Sequence, residues 1–345
     1  MSASEMLTRP PSPDGEPPTA GRGRAGALRQ LDVARSYATL AGMVLVLALV
    51  AAARPLFVDP RNLSAVAVDA TVLVVLAVGL SILMAMKGLD LSIAATADLA
   101  GYLAARTLLE GHGVAAAVLI ALAVGLLVGA INGVLAAYLG VPAIVATLGL
   151  NLVLSAVALV VSDNGTPQQL FTAPVALVKP LLIFGSDSWG PFRLLVIAAV
   201  LVVTVAWFAT TRSTWGRRLE LVDSSARAAE LAGLPVRRTF ASGFVVSGLL
   251  AAVGGLMLTA RTGLAVPGSA QPFLLDAFTA VYLGATASPR GRISVPWTVV
   301  GAVFVSALAN GLVLLGLGAP WRYGLNGALI LLALALGVVR RRATR

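Results

Sequence analysis

The residues able to do chemistry in this chain are few, and most of them sit among apolar neighbours. Asp90, Asp98 and Asp276 fall at or inside long hydrophobic runs, in company with Ser92, Asn132, Thr147 and Asn310. A carboxylate at membrane depth costs about 2.5–3.5 kcal/mol on insertion scales, so it must face a bundle interior or a wet pathway. Asparagines are cheaper and also serve as ties between helices, as Asn151 and Asn326 would. For Asp98 and Asp276 both roles, solute contact and structural tie, stay open. Asp69 lies nearer the end of its run, where water reaches it. No Gly-x-Ser-x-Gly, His-Glu-x-x-His or Walker loop occurs, cysteines are absent, and the one histidine, His112, sits in a Glu-Gly-His-Gly turn. No catalytic set and no metal site is readable. The chemistry on offer is passage, and any ATP hydrolysis driving it would belong to another chain.

The elements that must position these groups are membrane spans. Hydrophobic residues make up 58% of the chain and charged residues 12%, and several apolar runs reach the roughly 20 residues that cross a bilayer. The predicted fold class is an all-α polytopic membrane protein of about ten transmembrane helices. The spans are expected near 37–53, 63–86, 91–109, 114–138, 143–161, 192–210, 239–260, 273–287, 295–315 and 321–339. Residues 1–36, rich in Pro, Gly, Ser and Arg, read as a disordered cytoplasmic tail. Within them Gly21–Gly26 matches a dinucleotide fingerprint by letter alone, since no strand precedes it. Residues 37–339 form the transmembrane domain and 340–345 a basic cytoplasmic tail. Residues 162–190 read as the longest loop on the opposite side.

The longest polar interruption between spans is 211–238, with arginines at 212, 217, 218, 227, 237 and 238. Its middle, 223–232, predicts a short helix: Ser224 and Ser225 suit the N-cap, Gly233 stops it and Pro235 follows. With ten spans this loop, both tails, Lys87, Arg290 and Arg292 all fall on one face. That face is then cytoplasmic, and both termini lie there. The net charge of +10 follows from the same rule and points to no nucleic acid, because basic and aromatic residues are nowhere interleaved.

Asn132-Gly133-x5-Leu139-Gly140-x-Pro142 recurs as Asn310-Gly311-x5-Leu317-Gly318-x-Pro320, and Asp98 and Asp276 share the same offset. The copies lie five spans apart, an odd number, so they face opposite ways. This is the mark of an inverted internal repeat, a device of transporters. Gly125, Gly129 and Gly133 form a small-residue ladder for close helix packing.

Taken together these pieces resemble the permease subunits of bacterial ATP-binding-cassette (ABC) importers for monosaccharides, the ribose, xylose, galactose and autoinducer-2 type. Gly88-Leu-Asp90-Leu-Ser92-Ile is similar to that family's Gly-Ile-Asp-Leu-Ser-Val, and 132–149 to its Asn-Gly…Val-Pro-Pro-Phe-Ile-Val-Thr-Leu-Gly segment. Gly216-Arg217-Arg218 through Ala228-Ala229-Glu230-Leu-Ala-Gly233 resembles its ATPase-docking loop. Departures are Leu283-Gly284-Ala285 for Leu-Gly-Gly, Ser92-Ile-Ala-Ala for Ser-Val-Gly-Ser, and Asp223-Ser224 for Gly-Asn. They suggest an unusual cargo or one half of a heterodimer.

The resemblance implies a bacterial inner-membrane permease. Its partners would be a cytoplasmic ABC ATPase, an extracytoplasmic solute-binding protein, a second permease subunit (the same chain or another) and membrane lipid. ATP and Mg²⁺ would be held by the ATPase, with no cofactor on this chain. It also implies that Gly216, Arg217, Ser224, Ala228, Ala229, Glu230 and Gly233 couple to the ATPase. Asp90, Ser92, Asp98, Asn132, Thr147, Asp276 and Asn310 are the candidates for the translocation pathway. Rival readings are an importer of branched-chain amino acids or nucleosides, or a proton-coupled secondary transporter using Asp98 and Asp276.

Overall fold

The computed structural model describes residues 20–172, 174–189, 192–289 and 291–343. It is helical almost throughout. In chain order the helices are α1 (Ala20–Ala53), α2 (Pro60–Met84), α3 (Ile93–Leu109), α4 (Val114–Gly133), α5 (Ala143–Val161) and α6 (Val175–Ser186). There follow α7 (Leu194–Arg212), α8 (Thr214–Ser224), α9 (Ala226–Leu231), α10 (Val236–Thr262), α11 (Gln271–Ala287), α12 (Val295–Leu314) and α13 (Ala319–Ala343). Among the described residues seven helices are long and apolar enough to cross a membrane: Ser36–Ala53 of α1, Val114–Tyr138 at α4, and α2, α5, α7, α10 and α12. The expected spans near 91–109 and 273–287 are α3 and α11, of 17 residues each. These two shorter helices carry Asp98 and Asp276.

Helix α2 is apolar on every side, and it is buried on every side from Ala70 to Met84. Pro60 and the Asp59 side chain, which accepts from the Arg61 N–H at 2.8 Å, start it. It packs on α10, and the pair forms the centre of the bundle. Around them α4 lies on α10 while α12 lies on α2, and α3 lies on α10 while α11 lies on α2. In the same way α3 packs with α4 and α5, and α11 with α12 and α13. Element bounds echo this exchange. The ends of α2 and α10 (Met84, Thr262) and both ends of α3 and α11 differ by the same offset as Asn132 and Asn310.

The glycine ladder of α4 faces α10. A Cβ on Gly125 would stand 2.3 Å from the Gly248 carbonyl oxygen, and one on Gly248 would stand 2.2 Å from that of Gly125. Only glycine on both helices allows this crossing. The two motif copies end differently. After α4 the chain makes a π-helical turn (Val134–Tyr138) before Gly140 turns it at φ +72°. After α12 it turns earlier, at Gly316 with φ +78°.

Three expectations change. Residues 1–19 of the expected disordered tail lie outside the described residues, as do Arg290 and Arg345, but 20–36 are helical, continuous with the first span. Ala25, Leu28, Arg29, Gln30, Leu31 and Ala34 are good helix formers that extend it backwards. Residues 340–343 likewise continue α13 rather than standing apart as a tail. The long 162–190 connection is also structured: it contains α6 and two two-residue strands, each paired with a strand outside it. The strands β1 (Gln168–Gln169), β2 (Ser188–Trp189), β3 (Phe192–Arg193) and β4 (Leu264–Ala265) pair antiparallel as β1 with β4 and β2 with β3. Pro180 falls inside α6, past its first turn of Val175-Ala-Leu-Val, where its missing N–H removes one intrahelical bond.

Candidate functional site

The turn between α2 and α3, residues 85–92, does not leave the bundle. It runs back along the first third of α10, with Gly88 against Phe240 and the Met86 side chain against Gly243. There the Asp90 carboxylate, 2% exposed, is fully engaged. Its Oδ1 accepts from the Ser92 N–H at 2.9 Å and from Ser92 Oγ at 2.6 Å, and its Oδ2 accepts from Ser247 Oγ of α10 at 2.7 Å. Asn132 of α4 donates through Nδ2 to Ser92 Oγ at 2.8 Å. Thr147 of α5 accepts from the Leu91 N–H at 3.1 Å. Four of the expected pathway residues, Asp90, Ser92, Asn132 and Thr147, therefore meet in one buried network joining the turn to α4, α5 and α10. Hydrogen bonds to a charged group are the strong ones, so this network fixes the turn. Ser247, which completes it, opens a segment that shares the family resemblance, Ser247-Gly248-Leu-Leu-Ala-Ala, but was not among the expected pathway residues.

Asp276 on α11 is 1% exposed and paired. Arg322 of α13 forms an ion pair with its Oδ2, and Asn326, one turn further on, donates to its Oδ1. Asp69 of α2 pairs with Arg261 at the far end of α10, where both side chains are partly exposed. Asn310 and Asn62 exchange reciprocal amide bonds at 3.0 and 3.1 Å, tying α12 to α2. Asp98 on α3 differs from the other acids. Its Oδ1 accepts from the Ala270 N–H at 2.7 Å and from Ser269 Oγ at 3.1 Å, but its buried Oδ2 has no partner among the described residues.

The basic loop holds two helices rather than one. Ser213 caps α8, accepting from the Gly216 N–H at 3.0 Å, and Ser225 caps α9, accepting from the Ala228 N–H at 3.2 Å. Ser224, the other expected cap, ends α8 instead. Gly216 belongs to the corner with α7: a Cβ there would lie 2.0 Å from the Thr210 carbonyl oxygen. Trp215, Leu219 and Val222 pack inward at helical spacing, and Trp215 Nε1 donates to Ser242 Oγ of α10 at 2.8 Å. On α9 Ala229 points inward, whereas Ala228, Glu230 and Gly233 are exposed, as is Leu231 at 75%. Arg217 lies on the outward face of α8. Two ties run from this loop into the bundle. Lys87 Nζ donates to the Asp223 carbonyl oxygen at 2.8 Å, and Arg292 Nη1 reaches Glu220 at 3.3 Å. The first tie ends three residues from Asp90.

A buried polar turn linked to an exposed two-helix loop suits a membrane pathway worked from outside it. Residues 62–334 match the family model described as the permease component of a branched-chain amino acid transport system. The chain belongs to this family. The permease is 33% identical over 254 residues to a fructose import permease of Rhizobium meliloti, covering 72% of this chain and 70% of that one. It is 29% identical over 295 residues to the ribose import permease of Escherichia coli K12, covering 86% and 91%. It is also 29% identical over 323 residues to a probable ABC transporter permease of Sinorhizobium fredii, covering 93% and 94%. No solved structure matches it. The permease is thus a transport component, an all-α protein of the multi-pass membrane type.

Proposed function

We propose that this chain is the membrane-spanning subunit of an ABC importer for a monosaccharide, seated in a bacterial inner membrane. The observation that carries the reading is the exposed α8–α9 loop, tied through Lys87 to the turn that buries Asp90. An ATPase on another chain, with its ATP and Mg²⁺, would grip that loop. A solute-binding protein would deliver cargo at the opposite face, and a second permease subunit would complete the pathway. The outward residues Ala228, Glu230, Leu231 and Gly233 suit the docking face, while Gly216 and Ala229 hold the loop in shape.

Ten spans with both termini cytoplasmic fit the chain if α3, α11 and α13 cross with the seven helices named above as long and apolar enough. The exchange-symmetric packing of α2–α5 and α10–α13, with matched element bounds, supports an inverted repeat of the two halves. Residues 37–339 then act as one transport unit. The sugar import permeases similar to this chain favour sugar as cargo, and the family's own description makes branched-chain amino acids the rival.

The test is a mild-detergent pull-down of the tagged chain from its native membrane. A stoichiometric nucleotide-binding ATPase should come with it. Ala228→Trp, on the exposed face, should remove the ATPase while leaving insertion intact. A chain that came down alone and drove uptake from an ion gradient would overturn the reading.

A further inference from the structure

One cavity lies apart from the buried network at Asp90. It has a volume of about 280 Å³ and opens where α3, α5 and the turn before α11 meet. Asp98 and Asn151 line it, with Ser155, Pro267, Gly268 and Gln271. Asp98 is only 7% exposed, and no lysine or arginine pairs with it among the described residues. One carboxylate oxygen is spent on Ala270 and Ser269. Among the described residues the other is buried without a hydrogen-bond partner, and so is Oδ1 of Asn151.

Two lone acceptors under the wall of one cavity, a side-chain rotation away from its surface, are an expensive arrangement. Each unmet buried acceptor costs about 1–3 kcal/mol, and a charged one more. The group that relieves both at once is a molecule presenting hydrogen-bond donors. Ser155 does not supply the donor, because its hydroxyl is spent on the Asn151 backbone carbonyl at 2.8 Å. Gln271 adds an amide at the rim, able to donate and accept. The volume lies just under the roughly 300 Å³ at which small-molecule pockets begin, room for one compact ring and not for a nucleotide. A solute carrying more than one hydroxyl fits this donor demand.

We propose that this cavity is a solute subsite in which Asp98 Oδ2 and Asn151 Oδ1 accept hydrogen bonds from hydroxyl groups of a sugar in transit. The assignment rests on the reading of the cargo as a monosaccharide. It places contact with the cargo on α3 and α5, away from Asp90, Ser92, Asn132 and Thr147, whose polar atoms mostly satisfy one another.

The experiment uses the whole transporter in proteoliposomes, with D-ribose, D-fructose and D-galactose and a deoxy analogue of each as labelled probes. Uptake is normalised to assembled complex. In wild type the parent sugar should be preferred over its deoxy analogue. Asp98→Asn should raise the uptake KM about tenfold or more and shrink that preference, because the strong charged acceptor is gone. Asn151→Ala, which leaves the carboxylate and its contacts at Ala270 in place, should do the same more mildly. An unchanged KM and preference in both variants overturns the subsite. A sodium requirement of wild type that both variants lose would make this a cation site, and overturns it as well. A wild type that takes up none of the sugars but does take up leucine overturns the cargo reading, and this assignment falls with it.

Discussion

Asp98 and Asp276 stand at matching places in two halves of one chain, on two helices of equal length, and their surroundings are opposite. Asp276 has a cation, Arg322, and an amide, Asn326, so both oxygens are occupied. Asp98 has a backbone amide and a hydroxyl on one oxygen and, among the described residues, no hydrogen bond on the other. A buried acid with its own arginine is neutralised within the protein and has little left to offer a solute. An acid held by neutral donors keeps an oxygen free. The same residue type at the same register is thus a rivet in one half and an open acceptor in the other.

The largest expected effect comes from breaking the rivet. Asp276→Ala strands Arg322 beside a buried site, and losing one partner of a buried pair costs about 3 kcal/mol, the low end of the usual range because a third of Arg322 is open to solvent. Thermal unfolding in detergent should show a clear fall in midpoint. The double variant Asp276→Leu with Arg322→Met should recover most of it, since an apolar pair in the same space costs little. If the single variant unfolds with wild type, the ion pair is not holding α11 to α13. Asp98→Asn should change stability far less, because the remaining amide oxygen can keep the two donors on Oδ1 and the other position has no hydrogen bond to lose. A destabilisation equal to that of Asp276→Ala would erase the distinction between the two halves.

The Asp90 network lies between these extremes, since it has no cation yet leaves the carboxylate satisfied. Ser247→Ala removes the one donor on Oδ2 and should cost about 1.5–3 kcal/mol, the value of a hydrogen bond to a charged group. Ser247→Thr keeps the hydroxyl and should restore most of that. Equal midpoints for the alanine and threonine variants would mean that Asp90 finds another donor.

How much of this could be read in advance depends on whether the signal is local. The long spans follow from apolar length, and α9 from Ser225 before it and Gly233 after it, all within a few residues. The helix α8 was also legible in Trp215, Leu219 and Val222, which recur at helical spacing, but the arginines around them read as loop. The glycine ladder announced a close crossing without naming α10 as its partner. What no spacing encodes is which distant groups meet. Asp90 gathers donors from its own turn and α10, and its network reaches α4 and α5, four places far apart in the chain. Arg322 offered one unused clue: an arginine within the first turn of an apolar helix needs an acid, and Asp276 was the nearest buried one without a partner. The open oxygen of Asp98 had no sequence signal, because an unmet bond is a fact about the surroundings and not about the residue.

The smallest effect on stability should come from the tie between loop and bundle, and its effect on function decides whether the Asp90 turn is worked from outside. Lys87 is 73% exposed and its partner Asp223 is partly so, which makes the pair worth about 0.2–1 kcal/mol at most. Lys87→Ala should therefore unfold close to wild type. Lys87 also sits at φ +61°, a conformation that side chains other than Gly, Asn and Asp rarely hold, at the start of the turn that buries Asp90. A push on α8 or α9 reaches that turn through this side chain and, three residues away on α8, passes from Glu220 to Arg292 in the connection ahead of α12. Cutting both ties, with Lys87→Ala and Arg292→Ala together, should lower the solute moved per ATP hydrolysed by more than either change alone. The measurement is paired uptake and phosphate release in the same proteoliposomes. A ratio unchanged in the double variant would mean that force enters the bundle along the covalent chain through α7 and α10, and that the two ties only dress the surface.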